Sequence, residues 1–257
     1  MTAQFVNVTE IKGQKVSAEQ LYRTCHRYHW AADMATDKDV LEVACGSGPG
    51  LGVLGQRARS VQAGDISPEV LESAKSTYGE RFPLCVFPAS PLPFEDSSFD
   101  LVLIFEAIYY LPNVREFFVE AHRVLRPNGS LLIVTANKDL YDFTPSPFSN
   151  RYLGTRELSA ELSIAGFAPV FGGLTDVSRV SLRQRILRPA KMLASALGLV
   201  PKTMRGKEFF KKLFFGKLTE MPADITGIDF KPEELTSIRG DVPDTRHKVL
   251  YCEATRI

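Results

Sequence analysis

The sequence has no apolar run long enough to cross a membrane. A spanning helix needs about 18 or more consecutive apolar residues, and no such stretch occurs among the 257 residues. The opening segment MTAQFVNVTEIKGQKV also lacks the apolar core of a secretion signal. We therefore expect a cytoplasmic protein that does not span a membrane.

Cysteine is scarce and scattered. The four cysteines, Cys25, Cys45, Cys85 and Cys252, lie far apart in sequence and match no metal-binding spacing. We interpret them as reduced thiols, as is usual in the cytoplasm. The sequence therefore predicts neither a disulfide framework nor a metal site.

A large net charge is also missing: 31 Lys and Arg against 30 Asp and Glu leave a net charge of +1. The balance hides one basic segment, residues 178–218, which has eleven Lys and Arg against one acid, Glu208. In a helix, its stretch KEFFKKLFFGKL would present a basic amphipathic face, typical of contact with a membrane surface. Packing on the core and binding of another anionic partner are the alternatives. No nucleic-acid-binding module is recognised, so we expect no nucleic-acid partner.

What the sequence does contain is a regular alternation of apolar runs and helical patterns. Hydrophobic residues make up 44% of the chain, which is enough for a full core. Short runs rich in Val, Ile, Leu and Phe, bounded by Gly, Pro or Asp, predict strands. The seven predicted strands are Val40–Ala44, Ser60–Gly64, Leu84–Phe87, Leu101–Phe105, Ser130–Thr135, Phe167–Phe171 and Lys248–Glu253.

Helical patterns lie between and before these strands. The predicted helices are Ala18–Met34, Pro68–Tyr78 after the cap Ser67, Asn113–Leu125, and Thr155–Ala165 with Thr155 as its cap. Alternation at this spacing indicates parallel βαβ units. The fold class is therefore α/β: an open, doubly wound, mostly parallel seven-stranded sheet with ligands at the carboxyl ends of its strands.

The stretch VLEVACGSGPGLGVL (residues 40–54) concentrates glycine directly after the first core strand. Glycine lets a backbone take positive φ and approach a ligand closely, so a strand, a glycine turn and a helix form a nucleotide-sized cradle. A dinucleotide fingerprint needs G-x-G-x-x-G at the end of the strand, and the third glycine is replaced by Leu51 or Val53. A match at Gly50-x-Gly52-x-x-Gly55 falls inside the expected helix, and we treat it as accidental.

Five segments in the right order resemble the class I S-adenosylmethionine-dependent methyltransferases, over roughly residues 38–172. They are LEVACGSG (41–48), AGDISPEVL (63–71), LPFEDSSFDLVLIFEAIYYL (92–111), RVLRPNGSLLIV (123–134) and ELSAELSIAGF (157–167). The resemblance implies a Rossmann-like methyltransferase fold with S-adenosylmethionine as cofactor.

The resemblance also implies which residues bind that cofactor. In the family the acid of the second motif binds both ribose hydroxyls, and Asp65 matches it. The full set carried over is Tyr28, Glu42, Ala44, Gly46, Gly48, Asp65, Ile66, Ala89, Ser90 and Phe105. One position departs from the family, which usually has an Asp that accepts from the adenine amino group where Pro88 stands here. We expect weaker selection of adenine, with binding retained.

Glu106 and Tyr109 are the candidate catalytic residues. Glu106 follows a strand at its carboxyl end, beside the expected methyl group, and could act as a base or orient a hydroxyl. Alternatively, it orients the amino group of the cofactor or caps the next helix. Tyr109 lines the acceptor pocket or packs in the core.

The resemblance divides the chain into four parts. Residues 1–37 are expected to form an N-terminal helical segment, which either folds over the cofactor as a lid or packs as a helix on the core, and residues 38–174 are expected to form the core that binds S-adenosylmethionine. Residues 175–246 form a basic helical insertion, and residues 247–257 supply the last core strand.

A looser resemblance, to methyltransferases of bacterial surface-polysaccharide and glycan pathways, favours O-methylation of a small hydroxylated acceptor such as a sugar. The alternatives are methylation of a prenylated quinone or lipid-like phenol, and a non-catalytic binding protein of the same fold. A lipid-linked acceptor would suit peripheral contact with the inner membrane face through residues 178–218.

Overall fold

The computed structural model describes residues 12–146, 148–179 and 218–257. Its helices are α1 (Ala18–Met34), α2 (Leu51–Leu54), α3 (Pro68–Tyr78), α4 (Val114–Val124) and α5 (Thr155–Ile164). Its strands are β1 (Lys15–Ser17), β2 (Asp39–Val43), β3 (Ser60–Asp65), β4 (Leu84–Val86), β5 (Phe99–Phe105), β6 (Leu125–Ala136), β7 (Phe167–Asp176), β8 (Leu218–Glu220), β9 (Thr236–Ile238) and β10 (His247–Arg256).

The strands of the main sheet lie in the order β4-β3-β2-β5-β6-β10-β7-β9. Strands β2 to β6 pair in parallel, whereas β10 is antiparallel to both β6 and β7. The chain steps outward from β2 to β4 and then returns to place β5 on the other side of β2. This reversal opens a crevice between the carboxyl ends of β2 and β5, which is where such sheets bind ligands.

Helices cover both faces of the sheet, as the predicted doubly wound fold requires. Alternate strand residues point to opposite faces, so β5 sends Leu103 into one core cluster and Ile104 into the other. Helices α1, α2 and α3 contribute to the first cluster, and α4 and α5 contribute to the second. The predicted open α/β sheet is therefore confirmed.

Local signals place most helix ends as predicted. The Ser17 hydroxyl accepts from the N–H of Gln20 at the start of α1, and the Ser67 hydroxyl accepts from Val70 at the start of α3. One cap was predicted wrongly. Gly154 caps α5, while Thr155 is the first helical residue and its hydroxyl donates to the Val242 carbonyl at 2.6 Å. A distant loop therefore takes the hydroxyl that the sequence suggested for capping.

Among the described residues the main sheet has eight strands, one more than the seven predicted. The added strand β9 pairs with the outer edge of β7, joining Phe171 to Ile238. A separate two-stranded ribbon joins β1 to β8, with Val16 opposite Thr219. Strands β1, β8 and β9 have three residues each and, unlike β4, contain no apolar run, which explains why the sequence did not predict them.

The predicted helical insertion differs from the described part of residues 175–246. Residues 175–179 and 218–246 form the end of β7, strands β8 and β9, turns and one short 3-10 turn at Val177–Arg179, with no α-helix in those two ranges. The backbone hydrogen bonds of this stretch go to β1, β7 and the glycine turn, where Ile225 N–H donates to the Pro49 carbonyl. Residues 180–217, which hold most of the basic segment, lie outside the described residues.

Candidate cofactor and acceptor site

A cavity of about 750 Å³ opens at the carboxyl ends of β2 and β5. That volume is typical of a small-molecule site. Its wall is formed by α1, the glycine turn, the loops after β3, β4, β5 and β6, and the first residues of β10. One end of the cavity lies on the glycine turn, and the other lies among aromatic and polar side chains that follow β5 and β6.

The glycine turn takes left-handed backbone conformations in quick succession. The φ angles are 59° at Ala44, 59° at Gly46 and 68° at Gly48. Ala44, Gly46 and the intervening Cys45 line the cavity. Gly48 lies outside the cavity wall: an added Cβ would come within 2.7 Å of the Leu51 side chain, so its glycine is needed to form the turn.

Asp65 ends β3 and is held by two backbone groups. Gly46 N–H donates to its Oδ2 and Ser67 N–H donates to its Oδ1, both at 2.9 Å. Burial raises the pKa of this carboxyl, and the two N–H donors oppose that rise. Each carboxylate oxygen has a further lone pair, so the fixed group can still accept from a ligand.

The next part of the wall is apolar and lacks a carboxylate. Ile66, beside Asp65, is 48% exposed and faces the cavity. Pro88, Ala89 and Ser90 line the same end of the cavity. Pro88 has neither a carboxylate nor a backbone N–H, whereas Ala89 and Ser90 each have a backbone N–H.

Glu42 and Tyr28 form a buried pair behind the turn. The Tyr28 hydroxyl donates to Glu42 Oε1 at 2.6 Å, and Tyr28 lines the cavity whereas Glu42 does not. Burial raises the pKa of Glu42 to about 7. Glu42 Oε2 is buried and has no hydrogen-bond partner among the described residues. Glu42 therefore reaches the site through Tyr28, whereas the motif suggested direct contact.

Three predicted residues meet where β5 ends. Phe105 packs edge-on against Tyr28, with ring centroids 5.5 Å apart. Glu106 follows with a φ of 52°, and its Oε2 accepts from the Tyr109 hydroxyl at 3.0 Å. Burial and the adjacent Glu106 carboxylate raise the pKa of Tyr109 well above its usual value. The hydroxyl therefore stays protonated and remains a hydrogen-bond donor. Glu106 and Tyr109 both line the cavity.

The far end of the cavity combines aromatic and polar groups. Tyr109 stacks on Tyr152, with ring centroids 4.2 Å apart, and Phe143 packs edge-on against Tyr152. Asn137 follows β6 on the same wall. The cations Arg23, Arg27 and Lys248 also line the cavity. Sequence analysis missed these cations, although the four-residue spacing of the two arginines on a predicted helix placed them on one face.

The glycines of the second pattern, Gly50, Gly52 and Gly55, leave room for neighbouring side chains. An added Cβ at Gly50 would come within 2.0 Å of the Tyr28 ring, and one at Gly52 within 2.3 Å of Thr226 Oγ1. A Cβ at Gly55 would come within 2.6 Å of the Phe82 ring. These three glycines approach side chains, which removes the structural basis for reading them as a dinucleotide fingerprint.

The described residues contain neither a metal site nor a membrane-spanning helix. In those parts of the chain, no group of three or more His, Cys, Asp and Glu side chains is arranged to hold a metal ion. No helix within the same ranges is both long and apolar enough to span a membrane.

Comparison with known proteins agrees with this geometry. A family model described as a methyltransferase domain matches residues 41–133. A probable S-adenosylmethionine-dependent methyltransferase of Mycobacterium tuberculosis is 34% identical over 147 residues, which cover 56% of this chain and 53% of that protein. The chain thus matches about half the length of this curated relative.

A second relative and one solved structure extend the comparison. The probable phthiotriol/phenolphthiotriol dimycocerosates methyltransferase 2 of Mycobacterium ulcerans is 39% identical over 114 residues, covering 41% of this chain and 43% of that protein. The YcgJ protein of Bacillus subtilis superposes with a TM-score of 0.57 over 90% of this chain and 98% of its own, at 17% identity. At that identity the likeness concerns the fold alone. Residues 41–133 thus match a methyltransferase domain, the curated relatives that share this region are S-adenosylmethionine-dependent methyltransferases by name, and the sheet has the Rossmann-like order of that fold.

Proposed function

We propose that the protein transfers the methyl group of S-adenosylmethionine to a hydroxyl oxygen of a small hydroxylated acceptor, with sugars and glycans as the first class to test. One observation carries the proposal: the Glu106 carboxylate lies on the cavity wall with its Oε2 bonded to the Tyr109 hydroxyl. This pair stands between the glycine turn and the polar, aromatic end of the cavity.

The residues present fit the cofactor. Asp65, fixed by two N–H donors, can accept from two adjacent ribose hydroxyls. Ile66 offers an apolar face to an adenine ring, and the amides of Ala89 and Ser90 are the groups available to its edge. The rest of the cofactor would be enclosed by Ala44, Gly46, Phe105 and Tyr28. Glu42 would support Tyr28, and Gly48 would shape the turn, both from outside the cavity wall. When bound, the cofactor supplies an electrophilic methyl group on a sulfonium.

Glu106 would take the proton of the acceptor. A sugar hydroxyl keeps its proton near pH 7, so its attack on a methyl group needs a base. The hydroxyl oxygen would take the methyl carbon from the sulfonium sulfur, which would leave as a neutral thioether, while the hydroxyl proton would pass to Glu106. Tyr109, which donates to Glu106 Oε2, would hold the carboxylate in place on the cavity wall.

The direct test is Glu106→Gln, which keeps the shape of the side chain and removes its basicity. We expect kcat to fall about 100- to 10,000-fold, the usual contribution of a general base. The dissociation constant of S-adenosylmethionine, measured by calorimetry, should stay unchanged. Methyl transfer would be followed by mass spectrometry of a sugar panel.

Glu72→Gln is the matched control, because Glu72 is an exposed carboxylate on α3 outside the cavity. It should leave both kcat and cofactor affinity unchanged. If Glu106→Gln instead weakened turnover and cofactor binding by the same factor, Glu106 would be a cofactor ligand and the proposed base would be wrong.

A second candidate acceptor is a lipid-like alcohol or phenol. One observation favours it: a relative named as a phthiotriol/phenolphthiotriol dimycocerosates methyltransferase is 39% identical over 114 residues. The basic segment, residues 178–218, would also suit peripheral contact with an anionic membrane. Incubating the enzyme with the sugar panel and, separately, with a prenylated phenol in anionic vesicles discriminates the two classes by which one becomes methylated. Cofactor binding without turnover on either would favour a non-catalytic binding protein.

We also propose the division of the chain into an N-terminal lid (1–37), a cofactor-binding core (38–174), a basic insertion (175–246) and a final core strand (247–257). Ser17, Gln20 and Tyr28 in or beside α1 line the cavity, which supports a covering role for the first part. Residues 247–256 form β10 between β6 and β7, which supports the last part.

A further inference from the structure

Three cations line one side of the cavity. Arg23 and Arg27 are four residues apart on α1 and therefore share a face of the helix. Lys248 lies at the start of β10, where its carbonyl accepts from the N–H of Asn137 at the end of β6. All three side chains belong to the cavity wall. The positive groups of two elements that are distant in sequence thus converge on one region.

A single carboxylate holds two of these cations. Arg23 Nη2 and Lys248 Nζ both hydrogen-bond to Glu19 Oε1, the latter at 2.7 Å. Burial acts to raise the pKa of Glu19, but the two neighbouring cations outweigh it and lower that pKa to about 2. Three positive charges and one negative charge therefore make up this wall at neutral pH, with two positive charges in excess.

The excess of positive charge is confined to this wall of the cavity. The other charged groups on the cavity are carboxylates, at Asp65, Glu106, Glu116 and Asp142. The cations are also partly withdrawn from water: Arg27 is 6% exposed, and the side chains of Arg23 and Lys248 are 30% and 20% exposed. Withdrawing a cation from water costs free energy that an anionic partner offsets.

The basic wall lies near the proposed reaction centre. The charges of Arg27, Glu106 and Arg23 all act on the pKa of the buried Tyr251 hydroxyl. Arg23, Arg27 and Glu106 therefore lie near Tyr251, on the side of the cavity where β5 ends and β10 begins.

We propose that Arg23, Arg27 and Lys248 bind an anionic group of the acceptor, a phosphate or a carboxylate, so that the substrate is an acidic hydroxylated compound. This inference rests on the proposed methyl transfer and narrows its substrate class. Guanidinium groups match the planar, two-oxygen edge of phosphates and carboxylates. Binding at this wall would leave a hydroxyl elsewhere on the acceptor to reach Glu106.

The test titrates the protein with inorganic phosphate at constant ionic strength, after saturation with S-adenosylhomocysteine. That order matters because the cofactor has a carboxylate of its own, which could occupy the same cations. We expect phosphate to bind the saturated protein. Arg23→Gln and Lys248→Gln should each weaken that binding about tenfold or more, the scale for losing a charged hydrogen bond.

Two further variants serve as controls. Arg23→Lys keeps the charge without the planar guanidinium and should lose less phosphate affinity than Arg23→Gln, which separates loss of charge from loss of folding. Lys75→Gln removes an exposed lysine of α3 outside the cavity and should have no effect. Unchanged affinity for S-adenosylhomocysteine in every variant would show that the cofactor end is intact.

Three results would overturn the proposal. The first is no phosphate binding to the saturated protein, and the second is equal binding by the wild type and both Gln variants. The third is phosphate binding to the free protein that S-adenosylhomocysteine abolishes, because the cations would then hold the carboxylate of the cofactor. Failure of S-adenosylhomocysteine to bind at all is a different outcome, since it removes the proposed methyl transfer itself.

Discussion

Asp65 illustrates how one residue joins local structure to the site. Its two oxygens accept from Gly46 on the glycine turn and from Ser67 at the cap of α3. The carboxylate therefore fixes the distance between the turn after β2 and the helix after β3. A ligand hydroxyl that meets it finds an acceptor already oriented, so little conformational entropy is lost on binding.

Replacing this carboxylate tests its proposed contact with ribose. Asp65→Ala should weaken binding of S-adenosylmethionine by about 1–3 kcal/mol, the scale for losing a charged hydrogen-bonding partner. Calorimetric titration measures the change, and the unfolding transition shows whether the turn has kept its structure. Unchanged affinity in a folded variant would remove Asp65 from the ribose site.

Glu42 predicts a pH dependence of stability. Burial raises its pKa from 4.5 to about 7, so the folded protein holds a proton that the unfolded chain has released. Uptake of this proton on folding therefore lowers the free energy of unfolding progressively as pH rises from 4.5 to 7. Above pH 7 the decrease is complete. Glu42→Gln removes that dependence.

The free energy of unfolding of Glu42→Gln, relative to that of the wild type, should therefore increase by about 2–3 kcal/mol between pH 5 and pH 8. Denaturant titrations of both proteins at the two pH values measure it. A relative stability that is the same at both pH values would show that Glu42 has an ordinary pKa.

At the scale of elements, α1 packs against the glycine turn through the Tyr28 side chain. The Tyr28 ring lies over Gly50, and its hydroxyl reaches Glu42 below the turn. The residue pattern predicted the range of α1, Ala18–Met34. It could not predict which face would meet the turn, because that depends on where β2 and β5 place Glu42 and Phe105.

Gly50→Ala should disrupt this attachment. The φ of Gly50 is −107°, which alanine tolerates, but the new Cβ would come within 2.0 Å of the Tyr28 ring. Displacing the ring should cost about 1–3 kcal/mol of stability, the scale of core overpacking, and should also weaken cofactor binding. Thermal unfolding and calorimetry report the two effects.

Gly227→Ala is the matched control, since nothing lies within 4 Å of its added Cβ. It should leave the melting temperature and cofactor affinity close to the wild-type values. If both alanine variants behaved alike, the contact between α1 and the turn would not limit either stability or binding.

The whole molecule should respond to its cofactor as one cooperative unit, because the cavity wall draws on α1, the core strands and β10. A ligand at 100 times its dissociation constant stabilises the folded state by about 2.7 kcal/mol. We expect S-adenosylhomocysteine to raise the melting temperature by about 5–10 °C. NADH at the same concentration should not raise it, and an equal shift with both ligands would contradict the assignment of the cofactor.

The sequence by itself determined the parts that are encoded within a few residues. The caps Ser17, Ser67 and Asn113 fix the starts of three helices, and short apolar runs fix the core strands. The glycine turn and Asp65 follow from the order of motifs along the chain. Hydrogen bonds between near neighbours and side-chain periodicity carry this information, and both are readable without knowing the packing.

Tertiary structure alone decided the contacts between distant segments. The pair Lys248–Glu19 joins residues 229 positions apart, and β9 reaches the sheet edge only because the chain returns there after β8. Gly48 and Glu42 match the cofactor motif, yet packing against Leu51 and Tyr28 keeps both out of the cavity wall. Such contacts depend on how the folded sheet brings elements together, so no local pattern specifies them.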